Sequence, residues 1–386
     1  MSFFLNEDQQ ALQDVARRFA RQEIEPLANR IDHEEHTPPE LIRKVAELGF
    51  FGLLVPEEYG GMGQSLTTAA IVIEELSKAS PALGGMLSVQ MVLCPETICI
   101  LGSEEQKRRL LPASVAGERL MAYSQTEPAG AMNVPSHLTR LTQDGKHFRL
   151  NGAKLFCTQG EAKTYIVNCK YRRGEHDGMA SVIVEREMEG FEVAPYEDKL
   201  GWRGTNTGGI SFNNVLIPAE NVLAENLDDM RHWPASDYNF VCHAASSLGA
   251  AQGLFEKTLE QVKQRTLYGE PMHRAQPISY WLAQVYSKLQ AMRSLLYTSA
   301  RLLEEGRGDV PMISSVSKYY VCDTAFECTN TLLQMWGGSG MMNSTGVNRY
   351  MRDARANMVA EGSSEMHTWL IGQMALGLVS TPNSTI

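Results

Sequence analysis

The chain has 386 residues, more than the ~250–300 residues at which a single hydrophobic core usually stops growing, so two or three sub-domains are expected. Its hydrophobic share of 43% and charged share of 21% are near globular averages and exclude collagen-like, coiled-coil and disordered chains. The formal net charge of -10 disfavours nucleic acid and anionic membranes as partners, because phosphate groups attract basic surfaces.

Short sequence signals predict a soluble protein without metal. The seven cysteines include no C-x-x-C pair, which fits neither a disulfide framework nor a thiolate zinc site. His33 and His36 lack the spacing of a zinc protease, so no metal site is predicted. The first residues, MSFFLNEDQQ, do not resemble a signal peptide, and the apolar run at 48–55 is too short to span a bilayer. We therefore expect a cytoplasmic protein with no membrane contact.

The first third of the chain is predicted to be helical. Apolar residues recur at helical spacing over 6–28, where Pro26 ends or kinks the helix. The same spacing returns over 66–79, 88–101 and 104–116. A glycine-rich loop, LLVPEEYGGMGQS, precedes the segment at 66–79.

The pattern then changes to short strands. TYIVNCKY at 164–171 and GISFNNVLIP at 209–218 are rich in β-branched and aromatic residues, and turn-forming clusters separate such segments. Long helical patterns return from about residue 228. This order lacks the strand and helix alternation of a doubly wound sheet, so a Rossmann-type dinucleotide site is disfavoured. The chain is predicted to be mainly helical with a β middle domain, divided into an N-terminal helical domain (1–119), a middle β-domain (120–227) and a C-terminal helical bundle (228–386).

Several segments are informative in combination, although each alone has an ordinary explanation, such as a strand corner or a capped helix start. In their order along the chain they resemble the acyl-CoA dehydrogenase family of flavoproteins, over nearly the whole length. The resemblance implies a small β-barrel-like middle domain, a C-terminal four-helix bundle, bound FAD and a homotetramer. The segments are TEPAGAMN (126–133), KLFCTQG (154–160), RTLYGEP (265–271), QMWGGSG (334–340) and RDARANMVAEGSSEMH (352–367).

The resemblance implies that Glu361 is the catalytic base. Desaturation of an acyl thioester removes an α-proton and a β-hydride, and a carboxylate takes the proton effectively when burial raises its pKa. Flavin N5 is implied to accept the hydride. The Glu361 backbone N–H and an FAD ribityl hydroxyl are implied to stabilise the thioester oxygen. Without the other motifs, Glu361 is better explained as a residue near a helix start, favoured by the helix dipole.

The resemblance also implies a set of FAD contacts. The isoalloxazine wall comprises Tyr123, Thr126, Phe156 and Thr158. Arg265 matches an arginine that meets the pyrophosphate from a neighbouring subunit, because its guanidinium fork suits phosphates, although an exposed arginine is ordinarily just solvated. The remaining implied FAD contacts are Gln276, Gln334, Gly337 and Gly338 for the adenosine half, and Ser363 and Glu365 after the base.

The implied substrate-side residues depart from the family pattern. Met132 stands where the family has serine, and Phe240 stands where it usually has arginine, so the acyl-side lining is expected to be unusual in shape and charge. Gly84 occupies the place of a carboxylate-binding arginine, which disfavours a glutaryl substrate. The full predicted set is Met132, Asp237, Tyr238, Phe240 and Gly362.

The predicted function is FAD-dependent α,β-dehydrogenation of an acyl thioester, with acyl-CoA as substrate and an electron-transferring flavoprotein as electron acceptor. Three substrate classes stay open: a short or branched acyl-CoA, a cyclic or aromatic acyl-CoA, and an acyl group on a carrier protein. The alternatives are a related flavoenzyme acting as reductase, oxidase or eliminating enzyme, and a scaffold paralogue that has lost turnover.

Overall fold

The computed structural model describes residues 5–131, 133, 136–173, 176–225 and 234–379. Helices occupy both ends of the chain, and strands occupy the middle. The N-terminal helices are α1 (Glu7–Phe19), α2 (Ala28–Glu34), α3 (Pro39–Glu47), α4 (Leu66–Ala79), α5 (Pro81–Ser88), α6 (Cys94–Leu101) and α7 (Glu104–Val115). The C-terminal helices are α8 (Pro234–Gln264), α9 (Gln276–Glu304), α10 (Val310–Trp336), α11 (Asn348–Asn357) and α12 (Ser364–Ala375).

Capping residues explain where several helices begin. Asn6 forms a reciprocal capping box with Gln9 at the start of α1. The helix predicted to begin at residue 88 instead begins at Pro81, because Ser80 caps it by accepting a hydrogen bond from the Leu83 amide and proline suits the first helical position. Gly84 and Gly85 follow this start and lower its helix propensity, which hid it from the sequence pattern.

One stretch, Pro81–Leu101, is long and apolar enough by length and composition to cross a membrane. Its most apolar 18 residues have a mean hydropathy of 1.5, and 83% of them are buried inside the protein. A buried core helix has the same composition, so this stretch is weak support for a membrane span.

The middle of the chain folds into one eight-stranded sheet with spatial order β6-β7-β3-β2-β4-β5-β8. β1 and β2 both pair with β4 in parallel, while the other pairs are antiparallel. In the described part of the chain the two end strands do not pair with each other, so the sheet is open and not a closed barrel. The strands are β1 (Met121–Ser124), β2 (Arg140–Asp144), β3 (His147–Thr158), β4 (Thr164–Arg173), β5 (His176–Glu185), β6 (Phe191–Tyr196), β7 (Thr207–Ile217) and β8 (Val222–Glu225).

The helices at the two ends of the chain share one hydrophobic core. The helix α4 is buried along almost its whole length and packs against α8, which also packs against α10. One buried cluster therefore runs from α1 through α4 to the long C-terminal helices, and a second fills the sheet. The predicted fold class, helical ends around a β middle domain, is confirmed.

A buried carboxylate joins the three parts of the chain. Asp353 in α11 accepts hydrogen bonds from the Trp202 amide at 2.7 Å and from the Ala82 amide at 3.2 Å. These donors belong to the segment after β6 and to α5, respectively. Burial raises the pKa of this carboxyl to about 6, against the hydrogen bond from Trp202. Asp353 thus fixes α11, and with it the turn that follows, against both neighbours.

Candidate active site

Glu361 lies in a tight turn between α11 and α12. Both Glu361 and Gly362 have positive φ, +56° and +87°, and a non-glycine residue in this region is strained. Glycine is favoured at 362 because side chains rarely adopt a φ of +87°, and a Cβ there also lies 3.0 Å from Nε2 of the buried His367. Ser363 then caps α12 by accepting a hydrogen bond from the Met366 amide. The backbone therefore reverses sharply at Glu361 and leaves its side chain half-buried.

Two buried side chains hold this turn in place. Lys318 in α10 is fully buried, and its Nζ donates to the carbonyl of Gly362 at 2.6 Å and to that of Met358 at 3.5 Å. The Nε2 of His367 lies 3.1 Å from the carbonyl oxygen of Glu361. Because a carbonyl only accepts, Nε2 of His367 carries the proton. Burial, aided by Lys318, lowers the pKa of His367 to about 3 and keeps the ring neutral.

The surroundings of the Glu361 carboxyl shift its pKa in the direction that suits a catalytic base. Burial raises its pKa above the usual carboxyl range, while the amide of Asn239 and the Lys318 ammonium act in the opposite direction. Neither atom of the Asn239 amide reaches hydrogen-bonding geometry with any described residue, so we attribute its effect to proximity. A carboxyl with a raised pKa is suited to take a proton near neutral pH.

The middle domain contributes Tyr123 to the surroundings of Glu361. The hydroxyl of Tyr123 on β1 accepts a hydrogen bond from the Asn168 amide at 2.6 Å. Burial raises the pKa of Tyr123, and the nearby Glu361 carboxylate adds to this rise. Burial raises the pKa of the Cys94 thiol in α6, and the nearby Cys157 and Glu361 add to this rise. The structure therefore brings Glu361 together with β1 and α6, residues more than 200 positions apart in the sequence.

The predicted flavin wall has unpartnered groups. Within the described residues, the half-buried hydroxyls of Thr126 and Thr158 make no hydrogen bond. Phe156 on β3 has a φ of +56° and leaves 62% of its large apolar surface exposed. It lies at a bulge between Lys154 and Cys157 in the pairing of β3 with β7. An exposed aromatic ring with two free hydroxyls fits a planar ring ligand that has a polar edge, such as a flavin.

Of the residues predicted to contact the pyrophosphate and the adenosine half, Arg265 lies beside Gly337. Nη1 of Arg265, just after α8, donates to the Trp336 carbonyl at 3.1 Å, beside Gly337. Gly337 has a φ of +57° that favours glycine, and Gly338 and Gln334 are exposed beside it. Gln276 is the exposed first residue of α9. In the described chain no hydrogen bond links Arg265 to the Glu361 turn.

Two predicted cofactor residues are explained by the helix start in this structure. The hydroxyl of Ser363 caps α12, and Glu365 is exposed in the first turn of that helix. A hydrogen bond from its own backbone amide, followed by one from Ser363, lowers the pKa of Glu365. A cofactor role for either residue stays a prediction.

Three of the predicted substrate-side residues, Asp237, Tyr238 and Phe240, lie near the start of α8, while Gly362 lies in the Glu361 turn and Met132 lies outside the described residues. Ser314 donates a hydrogen bond to Asp237, whose pKa is raised to about 6 by burial. Burial also raises the pKa of Tyr238. The ring of Phe240 meets His367 edge-on at 4.7 Å. The start of α8 therefore lies against the same turn as Glu361.

Sequence reasoning missed four polar groups around this turn: Asn239, His243, Lys318 and His367. All four are completely buried. The available signal was a polar residue inside an otherwise apolar or small-residue helical run, as for His243 in VCHAASSLGAA and Lys318 in ISSVSKYYVC. Buried polar residues of this kind are uncommon and point to a specific partner.

Family models cover most of the chain. Residues 6–118, 122–215 and 237–376 match the models described as the N-terminal, middle and C-terminal domains of acyl-CoA dehydrogenase. The chain is 31% identical to the mitochondrial isobutyryl-CoA dehydrogenase of Dictyostelium discoideum, covering 96% of this chain and 89% of that protein. It is 30% identical to the 3-(aryl)acrylate reductase of Clostridium sporogenes, covering 97% and 100%.

Solved structures share the same fold over nearly the whole chain. One, described as the electron transferring flavoprotein of Acidaminococcus fermentans, has a TM-score of 0.93 and 31% identity, covering 97% of this chain and 100% of the other. The glutaryl-CoA dehydrogenase of Mycobacterium smegmatis in complex with FADH2 has a TM-score of 0.91 and 26% identity, covering 97% and 95%. The chain therefore belongs to the acyl-CoA dehydrogenase family of enzymes, as its motifs predict.

Proposed function

We propose that the protein is an FAD-dependent acyl-CoA dehydrogenase in which Glu361 takes the α-proton of the acyl thioester. The observation that carries this proposal is the position of Glu361. It is a half-buried carboxyl with a raised pKa, held on a strained turn and close enough to Tyr123 for its charge to raise the pKa of that hydroxyl. A surface glutamate at a helix start needs neither the burial nor the strain, so the helix-start explanation accounts for less of the structure.

The residues that would hold the cofactor fit it chemically. The free hydroxyls of Thr126 and Thr158 and the exposed ring of Phe156 suit the isoalloxazine, and Arg265 beside Gly337 suits a pyrophosphate. A bound flavin supplies the two-electron acceptor that no natural side chain provides. Support for this cofactor comes from the structural relative in complex with FADH2.

The Glu361 backbone amide is free to stabilise the substrate. Within the described residues, it donates to no carbonyl. An acidic α-carbon requires a donor at the thioester oxygen, where negative charge develops as the proton leaves. Lys318 and His367 hold the two carbonyls of this turn, so the amide and the carboxyl of Glu361 stay in a fixed relation. One residue would then both remove the proton and help to stabilise the charge that remains.

The test is anaerobic titration of the purified, flavin-loaded protein with short and branched acyl-CoA thioesters. We expect the flavin absorbance to bleach with a suitable substrate. Glu361→Gln is expected to bind flavin but to lose at least about a hundredfold in the rate of bleaching, the scale of general-base catalysis. The matched control Glu40→Gln changes an exposed glutamate in the first turn of α3 and leaves the rate unchanged. Full bleaching by Glu361→Gln contradicts the proposal.

An electron-transferring flavoprotein is the proposed electron acceptor, a homotetramer the proposed assembly and the cytoplasm the proposed location. Support for the acceptor comes from the name of the Acidaminococcus structure. All seven cysteines are free, six of them buried, which suits a reducing compartment. Anaerobic reduction of a purified electron-transferring flavoprotein and native mass spectrometry test the first two assignments.

Reduction of an α,β-unsaturated substrate is a second candidate. It is favoured by the relative from Clostridium sporogenes, which carries the name of a reductase at 30% identity over its whole length. The same base and flavin run the reaction in reverse when Glu361 delivers the proton. Identifying products by mass in both directions, under an excess of reduced or oxidised acceptor, separates the two candidates.

A further inference from the structure

Two buried polar side chains share one face of α8, and the first of them lies near Glu361. Asn239 and His243 are four residues apart, so they share a helix face, and both are completely buried. Asn239 lies next to the Glu361 carboxyl. Within the described residues, neither amide atom of Asn239 and neither ring nitrogen of His243 has a hydrogen-bond partner. Buried polar atoms are ordinarily paired, so these four atoms need an explanation.

Two further unpartnered groups adjoin this face. The rings of His243 and Trp202 lie 5.4 Å apart between centroids, and His367 contributes to the electrostatic surroundings of His243. In the described chain, Nε1 of Trp202 and Nδ1 of His367 also lack partners. Leaving a buried polar group without a partner is unfavourable. A cluster of this kind is not expected in a site that is only meant to hold a hydrocarbon chain.

The cluster is electrically neutral. Burial, with smaller contributions from Lys318, lowers the pKa of both His243 and His367 to about 3. Neutral His243 offers one N–H donor and one nitrogen acceptor, and the Asn239 amide offers both kinds of group as well. His367 offers only Nδ1 as an acceptor, because its Nε2–H is bonded to the Glu361 carbonyl. The nearby charges do not complement an anion. Nζ of Lys318 already donates to two carbonyls, and Glu361 repels a second carboxylate.

We propose that Asn239, His243, Trp202 and His367 form a polar acyl subsite that recognises a neutral hydroxyl group on the acyl chain. A hydroxyl both donates and accepts a hydrogen bond, which matches this set of groups better than a methyl or a carboxylate. This inference rests on the proposed function, since it concerns the acyl group that lies against Glu361. Ordered water is the competing occupant, because it also donates and accepts.

The test compares matched pairs of acyl-CoA thioesters on the flavin-loaded wild-type enzyme. Each pair consists of an ω-hydroxyacyl-CoA and the acyl-CoA in which a methyl replaces the hydroxyl, over a graded series of chain lengths. A site built to bond a hydroxyl discriminates strongly against the analogue that lacks it. We expect kcat/KM to favour the hydroxylated member at least about tenfold at one chain length or more. Preference for the methyl member at every length overturns the proposal and indicates water in the cluster.

Variants of His243 test whether the cluster causes the preference for the hydroxylated thioester. His243→Leu removes both ring nitrogens and is expected to erase most of the preference while the enzyme still turns over the methyl member. His243→Gln keeps a donor and an acceptor and is expected to restore part of the preference. An unchanged ratio in His243→Leu contradicts the assignment, whether or not its absolute rate falls. If some acyl-CoA bleaches the flavin but none shows a hydroxyl preference, only this proposal is contradicted. If no thioester bleaches the flavin, the proposed function is contradicted.

Discussion

At the scale of single residues, the site is governed by two opposing effects on one carboxyl. Burial raises the pKa of Glu361, and the Lys318 ammonium lowers it. The same ammonium donates to the carbonyl of Gly362, next to Glu361. Lys318 is therefore a positioning residue that also sets the pH at which the base becomes ionised. Other groups near Glu361 include the neutral His367, the Tyr123 hydroxyl and the Cys94 thiol.

Replacing Lys318 tests this role through the pH profile. Proton removal needs ionised Glu361, so log kcat/KM rises with pH until Glu361 is ionised. Lys318→Met removes the positive charge, so the pKa of Glu361 rises further and the acidic limb moves to higher pH. Stopped-flow flavin reduction at a series of pH values measures this shift. The control Lys146→Met changes an exposed lysine in a strand turn. An acidic limb in the same place for wild type and Lys318→Met contradicts the assignment.

Glu361 itself is expected to lower the stability of the fold near neutral pH. Its pKa is higher in the folded than in the unfolded chain, so between these two values the folded state binds more protons and stability falls as pH rises. Glu361→Gln removes this cost, and we expect its Tm to exceed that of wild type above the raised pKa, with the difference shrinking at acid pH. Thermal unfolding of both proteins across this range measures it. A lower Tm for the variant at neutral pH is the contrary result.

At the scale of elements, the turn between α11 and α12 places the base. Gly362→Ala forces a side chain into positive φ and brings Cβ within 2.1 Å of Met366 and 3.0 Å of Nε2 of His367. Strain of this kind costs about 1–3 kcal/mol. We expect a lower unfolding free energy and a large fall in the rate of flavin reduction, because the turn moves.

The matched control lies in the adjoining helix. A Cβ on Gly372 in α12 meets no atom within 4 Å, so Gly372→Ala is expected to stabilise α12 by roughly 0.5–1 kcal/mol through helix propensity. Urea unfolding and flavin reduction of both variants measure the contrast. Equal effects of the two substitutions contradict the account of the turn.

The sequence predicts helices and strands well where nearby residues alone determine their position. Pro26 lies just after Ala20–Ile24, a π-helical turn that continues α1, and strand-rich composition marks the β-domain. Long-range partners are not encoded locally. Lys318 meets Gly362 across 44 positions, and nothing in β-branched composition reveals that β1 and β2 both pair with β4. The β-domain was therefore expected to resemble a barrel, whereas its strands form an open sheet. Glu361 was predicted from its motif, while the buried groups around it required coordinates.

At the scale of the whole molecule, Asp353 connects the three parts of the chain. Asp353→Ala leaves the Trp202 and Ala82 amides without their acceptor, and each unsatisfied buried donor costs about 1–3 kcal/mol. We expect a lower Tm and a slower enzyme, because α11 leads directly into the Glu361 turn.

The control for Asp353 is a carboxylate that forms an ion pair at the protein surface. Asp198 meets Arg203 at 2.9 Å with 88% of its side chain exposed, and such pairs contribute ~0–1 kcal/mol. Asp198→Ala is therefore expected to leave Tm nearly unchanged in thermal unfolding. A Tm for Asp353→Ala as high as that of Asp198→Ala contradicts a role for Asp353 in joining the domains.

The central claim, that Glu361 removes the α-proton, is tested most directly by hydrogen exchange on the substrate. An acyl-CoA that bleaches the flavin of the wild type is incubated anaerobically in deuterated water with flavin-loaded wild type or Glu361→Gln. Deuterium at the α-carbon is then measured by mass spectrometry. We predict incorporation with wild type and almost none with Glu361→Gln or with flavin-free protein. Incorporation at the wild-type rate by flavin-loaded Glu361→Gln contradicts the account.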